Sequence, residues 1–133
     1  MKEITQLNLP EDVLYADDHE WVRKTDGTVK IGISDYAQDQ LGDIVYVELP
    51  RVGDKFDLKE AFGSVESVKA VSELFMPLGG EVVAVNAGLE AAPELVNTAP
   101  YTDGWMVEIK PQDPAELDAL KSKNAYLEML KGL

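Results

Sequence analysis

The chain has 133 residues, with 12 basic and 25 acidic side chains, a formal net charge of −13, one histidine and no cysteine. That length predicts one domain spanning 1–133, and a hydrophobic fraction of 45 % is enough for a packed core. The charge makes nucleic acid and an anionic membrane surface poor partners, and the missing cysteines exclude disulfides, thiolate metal sites and a cysteine nucleophile.

The segment Met1 to Gln6 has neither the apolar run of a signal peptide nor the Arg- and Ser-rich character of a transit peptide. A cytoplasmic protein is the expectation, and a processed organellar protein reads the same way. Glu20 to Lys24 and Val29 to Ile33 form a predicted hairpin around Asp26-Gly27, a dipeptide that tolerates positive φ. Ser34 or Asp35 is placed to cap a short helix, Tyr36 to Leu41, which Gly42 ends. Asp43 to Leu49 is β-branched and aromatic and predicts a strand, stopped by Pro50. Ala61 to Val68 and Val71 to Met76 alternate as two more strands. Glu81 to Asn86 and Gly104 to Ile109 complete the set, with a helical turn expected at Pro93 to Val96. Asp113-Pro114-Ala115-Glu116 carries an N-cap and a proline suited to the first helical position. Leu117, Leu120, Tyr126, Leu127 and Leu130 then recur at helical spacing, predicting one or two helices over 113–131 with a break near Ser122. This tail is expected to cover an open edge of the sheet. Many short strands with close turns predict a small barrel or sandwich, with its β core at 20–110. The runs Gly42-Asp43-Ile44-Val45-Tyr46-Val47 and Gly80-Glu81-Val82-Val83-Ala84-Val85 echo each other as a faint sign of internal two-fold symmetry.

Little catalytic equipment is visible. One histidine, His19, without cysteine is an unusual basis for a zinc or iron site. No nucleophile elbow, P-loop or dinucleotide fingerprint occurs. An enzyme built on a carboxylate pair and a purely structural β-domain are two classes that these features leave open.

Lys69 stands where two strand patterns meet. Turn tips usually carry Gly, Asn, Asp or Pro, whereas this one reads Val68-Lys69-Ala70-Val71. A solvated strand lysine is the plain reading. A modification site is the sharper one, because a tip lysine holds a covalent group clear of the fold.

Several blocks in order bear on that choice. They are His19-Glu20-Trp21-Val22, Ile31 through Pro50, Gly63-Ser64-Val65-Glu66-Ser67-Val68-Lys69-Ala70, Glu81-Val82-Val83 to Asn86, Pro93 to Asn97, Pro100-Tyr101 and Gly104-Trp105-Met106. Over nearly its whole length the chain resembles the H proteins of the glycine cleavage system, which are lipoyl carriers. The resemblance implies a mainly β, lipoyl-domain-like barrel-sandwich hybrid with a short internal helix and C-terminal helices. It implies lipoate in amide linkage to Lys69, with Glu66, Ser67, Val68 and Ala70 recognised by a lipoate ligase or a lipoyl/octanoyl transferase. It implies a monomeric, non-enzymatic shuttle between glycine decarboxylase (P protein), aminomethyltransferase (T protein) and dihydrolipoamide dehydrogenase (L protein). It also implies a cleft for the loaded arm, in which Glu20 and Glu73 hold an ammonium with His19 and Asp18 nearby.

Some positions depart from the family pattern. Met76 and Gly79 replace a small polar residue and a serine, and Tyr36 stands where relatives can have histidine. A biotin carrier would flank its lysine with methionines, and an acyltransferase lipoyl domain would continue into further domains. A relay that donates lipoyl groups to other enzymes is the remaining alternative within the family.

Overall fold

The computed structural model describes residues 2–133. Strands β1 (Leu14–Tyr15), β2 (Glu20–Lys24) and β3 (Val29–Ile33) come first, then helix α1 (Asp35–Leu41). Strands β4 (Ile44–Glu48), β5 (Lys55–Phe56), β6 (Ala61–Ser67), β7 (Val71–Phe75) and β8 (Gly80–Val85) follow. Two single-turn helices, α2 (Gly88–Ala91) and α3 (Leu95–Thr98), lead into β9 (Val107–Pro111), a 3-10 helix at Pro114–Ala119 and helix α4 (Lys123–Lys131). The strands form two antiparallel sheets, one ordered β1-β2-β3-β9-β8-β5 and one ordered β4-β6-β7. Neither sheet closes on itself, so the architecture is the expected hybrid of barrel and sandwich.

Local chemistry accounts for most of these elements. Gly27, at φ 79°, makes the β2–β3 turn. The Ser34 hydroxyl accepts the Ala37 amide at the start of α1, and Gly42, at φ 81°, ends it. Asp113 caps the 3-10 helix through the Ala115 amide, and Ser122 caps α4 through the Ala125 amide, so the break predicted near Ser122 is a helix start. β1 and β5 have two residues each, too short for alternation to reveal. The last strand starts later than its apolar run suggests, because Gly104 and Trp105 donate their amides to Ala99 and Thr102 in a turn.

The main core lies between the sheets. Ile31, Ile33, Val82, Val107 and Ile109 from one meet Ile44, Val47, Val65 and Leu74 from the other. A second cluster packs on the far side of β1 and β2, where Tyr15, Trp21, Tyr101, Tyr126 and Leu130 come together. The tail builds this cluster: Lys121 exchanges main-chain hydrogen bonds with Tyr15 at the edge strand, and the Tyr126 ring stacks on Tyr15 at 4.5 Å. The sheet edge is thereby covered, as the sequence suggests. Both faces of β2 are consequently buried, with Trp21 on one side and Glu20 and Val22 on the other.

Backbones approach closely where glycines stand. A Cβ at Gly32 would meet the Trp21 ring at 2.7 Å, and one at Gly63 would strike the Glu48 carbonyl. The echoing runs fall in opposite sheets as β4 and β8. Their ladders shift register at matching places, between Ile44 and Tyr46 and between Val82 and Ala84.

Candidate functional site

Lys69 occupies the tip of the β6–β7 hairpin. The turn closes with the Ser67 amide donating to the Ala70 carbonyl at 2.7 Å. The buried Ser67 hydroxyl accepts the amides of Lys69 (3.2 Å) and Ala70 (3.1 Å), so its side chain holds the turn as asparagine or aspartate side chains do in others. The Val68 amide donates to the Asp43 carbonyl at 3.1 Å, which ties the tip to the entrance of β4. Val68, Lys69 and Ala70 are all exposed. The Lys69 amine forms no ion pair among the described residues. Its stem passes Gly42, where an added Cβ would lie 3.4 Å from Cε. The tip therefore presents an accessible primary amine on a hydrogen-bonded hairpin turn, which fits an amide-linked group.

Glu20 lies in a different setting. It is 2 % exposed, and its Oε1 has no hydrogen-bond partner among the described residues. Burial first, then the nearby Asp18 charge, lift its carboxyl to about 8, against the pull of the neighbouring Phe75 main chain and of Lys59. Glu20 is therefore a buried carboxyl, protonated near neutral pH, with one oxygen left without a partner among the described residues. Asp18 is already engaged, at 3.1 Å from the Lys59 ammonium. His19, in the left-handed region at φ 74°, completes the turn that begins at Ala16. Its Nδ1 lies 2.8 Å from the Tyr126 hydroxyl, and burial keeps the ring below its ordinary pKa despite Asp18 and Asp17. The same hydroxyl reaches the Ser34 hydroxyl at 2.8 Å, so one α4 side chain joins the His19 turn to the α1 cap.

Glu73 is exposed on the outer face of β7, opposite Ser64, and forms no ion pair among the described residues. It stands two residues before Phe75, whose main chain meets Glu20, so β7 links the two carboxylates without bringing them into contact. Glu66 is exposed on β6 between Tyr46 and Val71. Thus Asp18, His19 and Glu20 cluster, whereas Glu73 and Glu66 share the outer face beside the tip.

Tyr126 and Lys59 are the residues that sequence reasoning passed over. Tyr126 reads as one apolar position among several in the tail, and nothing in the local pattern connects it to His19.

Two open antiparallel sheets with a lysine-tipped hairpin define the lipoyl-domain-like class of fold. A family model described as glycine cleavage H-protein matches residues 13–132. The chain is 52 % identical over 120 residues to a glycine cleavage system H protein of Oceanobacillus iheyensis, covering 90 % of this chain and 95 % of that protein. It is 51 % identical over 125 residues to one of Magnetococcus marinus, covering 94 % of this chain and 89 % of that protein. A crystal structure of a glycine cleavage system H protein from Mycobacterium marinum superposes with a TM-score of 0.84 at 36 % identity, covering 94 % of this chain and all of that one. The chain belongs to the glycine cleavage H-protein family. None of its described helices is long and apolar enough to cross a membrane.

Proposed function

We propose that this chain is the lipoyl-bearing shuttle of a glycine cleavage system, carrying lipoate on Lys69. The observation that supports it most is the hairpin tip itself, an exposed lysine without an ionic partner among the described residues, on a turn held by Ser67. Glu66, Ser67, Val68 and Ala70 present that lysine to a lipoate ligase or a lipoyl/octanoyl transferase. When bound, lipoate supplies the redox-active sulfurs through which an aminomethyl unit leaves glycine decarboxylase and reaches aminomethyltransferase, dihydrolipoamide dehydrogenase restoring the disulfide. The chain's own part is to present, shelter and release. Amide formation removes the Lys69 charge, so the arm is free to lie along the protein.

Glu20 is the group best placed to hold the ammonium of the loaded arm. Its unpartnered Oε1 accepts a charge-assisted hydrogen bond, and an incoming cation displaces the proton that burial retains there. Glu73 offers a second carboxylate further along β7, in solvent. His19 and Asp18 act indirectly, because Tyr126 and Lys59 hold them.

The primary test is intact mass with peptide mapping of protein made in lipoate-fed cells. A lipoyl-sized increment on Lys69 is expected, and its absence beside an active ligase overturns the reading. For the cleft, the doubly substituted Glu20→Gln, Glu73→Gln protein is expected to lose ammonia and formaldehyde from its loaded form faster than the parent. An unchanged rate removes both carboxylates from the role.

A further inference from the structure

Two turns flank β5, and they are built alike. In the first, the Asp54 amide donates to the Arg51 carbonyl at 3.1 Å, and the Asp54 carboxylate accepts the Arg51 amide at 3.0 Å. In the second, the Glu60 amide donates to the Asp57 carbonyl at 3.1 Å, and the Glu60 carboxylate accepts the Asp57 amide at 2.9 Å. The third residue of each is left-handed, Gly53 at φ 97° and Lys59 at φ 71°. Glycine or asparagine usually takes that place, because a Cβ is strained there. A lysine gives the backbone of the turn nothing that glycine does not, so the reason for it lies in its side chain. The Lys59 ammonium reaches Asp18 at 3.1 Å. Both side chains are partly in solvent, 50 % and 39 % exposed, so the pair by itself adds little stability. Its position is more telling. Asp18 stands two residues before Glu20. The Lys59 amide donates to the Met76 carbonyl at 2.9 Å, next to Phe75, whose main chain neighbours Glu20. The cation is thus fixed near Glu20 from two directions, and its charge acts on the Glu20 carboxyl.

We propose that Lys59 tunes the grip on the loaded arm: its ammonium, anchored on Asp18, opposes the arm's ammonium at Glu20 and shortens the time the arm stays docked. The proposal rests on the reading of Glu20 as the group that holds the loaded arm. Two cations beside one carboxyl repel each other, and the repulsion arises only when the arm itself is charged. The disulfide form of the arm is neutral, so Lys59 leaves its docking unchanged. A carrier that grips its cargo too firmly protects it from water but delays delivery. A glycine at position 59 would relieve the backbone and remove this control. Lysine accepts the strained conformation and places a cation where it weakens the hold.

The test uses the lipoylated full chain, loaded from glycine by glycine decarboxylase and then separated from that enzyme. Loss of the unit is a hydrolysis: the S–C bond breaks, the sulfur takes a proton from water, and formaldehyde and ammonia depart without any change of oxidation state. Lys59→Met keeps the length of the side chain and removes its charge. It is expected to lose ammonia and formaldehyde about threefold more slowly than the parent, the difference narrowing as salt rises. Lys59→Gly is expected to slow the loss equally and to melt at a higher temperature than Lys59→Met, since glycine adopts φ 71° without strain. Lys59→Arg is expected to restore the parent rate. In NMR spectra of the lysine ammonium groups, the Lys59 resonance is expected to move when the arm is loaded and to stay in place when the arm is a disulfide. A Lys59→Met rate equal to the parent's or faster, an equal slowing in Lys59→Arg, or a Lys59 resonance that ignores loading overturns the tuning role. Loss from the unaltered chain as fast as from aminomethylated free lipoamide shows that nothing holds the arm, and overturns the Glu20 reading together with the role of Lys59.

Discussion

At the Lys69 tip, the turn is closed by neighbours: the Ser67 hydroxyl and amide meet main-chain groups two and three residues away. Around Glu20, the contacts come from β7, from the Asp18–Lys59 pair and, through His19, from α4. The first region is exposed, and its turn is closed within the four residues Ser67 to Ala70, with one distant main-chain tie from Val68 to Asp43. The second is buried, and it exists only when segments more than a hundred residues apart are packed together. A turn at an exposed tip is best built from local hydrogen bonds, which survive exposure. A pocket that must exclude water requires many elements around it, because a lone carboxylate in solvent has no special chemistry.

Substitutions sharpen the contrast. The largest effect is expected for Lys69→Arg, which keeps the charge but removes the acylable amine. Lipoylation and aminomethyl transfer should vanish in mass and exchange assays, while stability stays within about 0.5 kcal/mol of the parent. A folding defect in this variant would mean that the tip is not locally built.

Glu20→Gln should act in the opposite manner, on stability and with pH. Burial lifts the carboxyl from 4.5 to about 8 in the folded chain. The folded state then binds a proton that the unfolded state has released, so stability falls as pH rises from 4.5 to about 8 and levels off above. Glutamine removes that slope. The variant should match the parent near the lower limit and exceed it above the upper one, by at most about 5 kcal/mol in denaturant titrations. Parallel curves for the two proteins across this range would place Glu20 in solvent.

Tyr126→Phe takes away the hydroxyl shared by His19 and Ser34, with an expected loss of about 1 to 2 kcal/mol. The His19 ring resonances should move although the substitution lies on α4. The smallest effect is expected for Ser67→Ala, about 1 kcal/mol, with faster amide exchange confined to Lys69 and Ala70 and slower lipoylation. Exchange that spreads to β2 in this variant would join the two regions that the structure separates.

Legibility in the sequence follows the same division. The β2–β3 hairpin was readable because Asp26-Gly27 marks its turn, and α1 because Ser34 and Gly42 bound it. The β6–β7 hairpin was readable from alternation on both sides of Lys69. β1 and β5 were not, since two residues carry no period. The β9 start was misplaced because Trp105 and Met106 are apolar for packing at a turn and not for a strand. Glu20 was singled out only through the family resemblance, as its burial depends on packing against β7 and other distant segments.

Sequence alone determined the strand-rich class, the lysine at a hairpin tip and the order of motifs that marks the family, because each is carried by contiguous residues and their turn chemistry. Tertiary structure decided which carboxylates are buried and which are exposed, placing Glu20 out of water with one free oxygen and leaving Glu73 and Glu66 in it. It also decided that Tyr126 supports His19, and that Tyr46 and Val71 share an outer row with Glu66. The physical reason is that burial and register are properties of packed neighbours, which one residue's position in the chain does not specify.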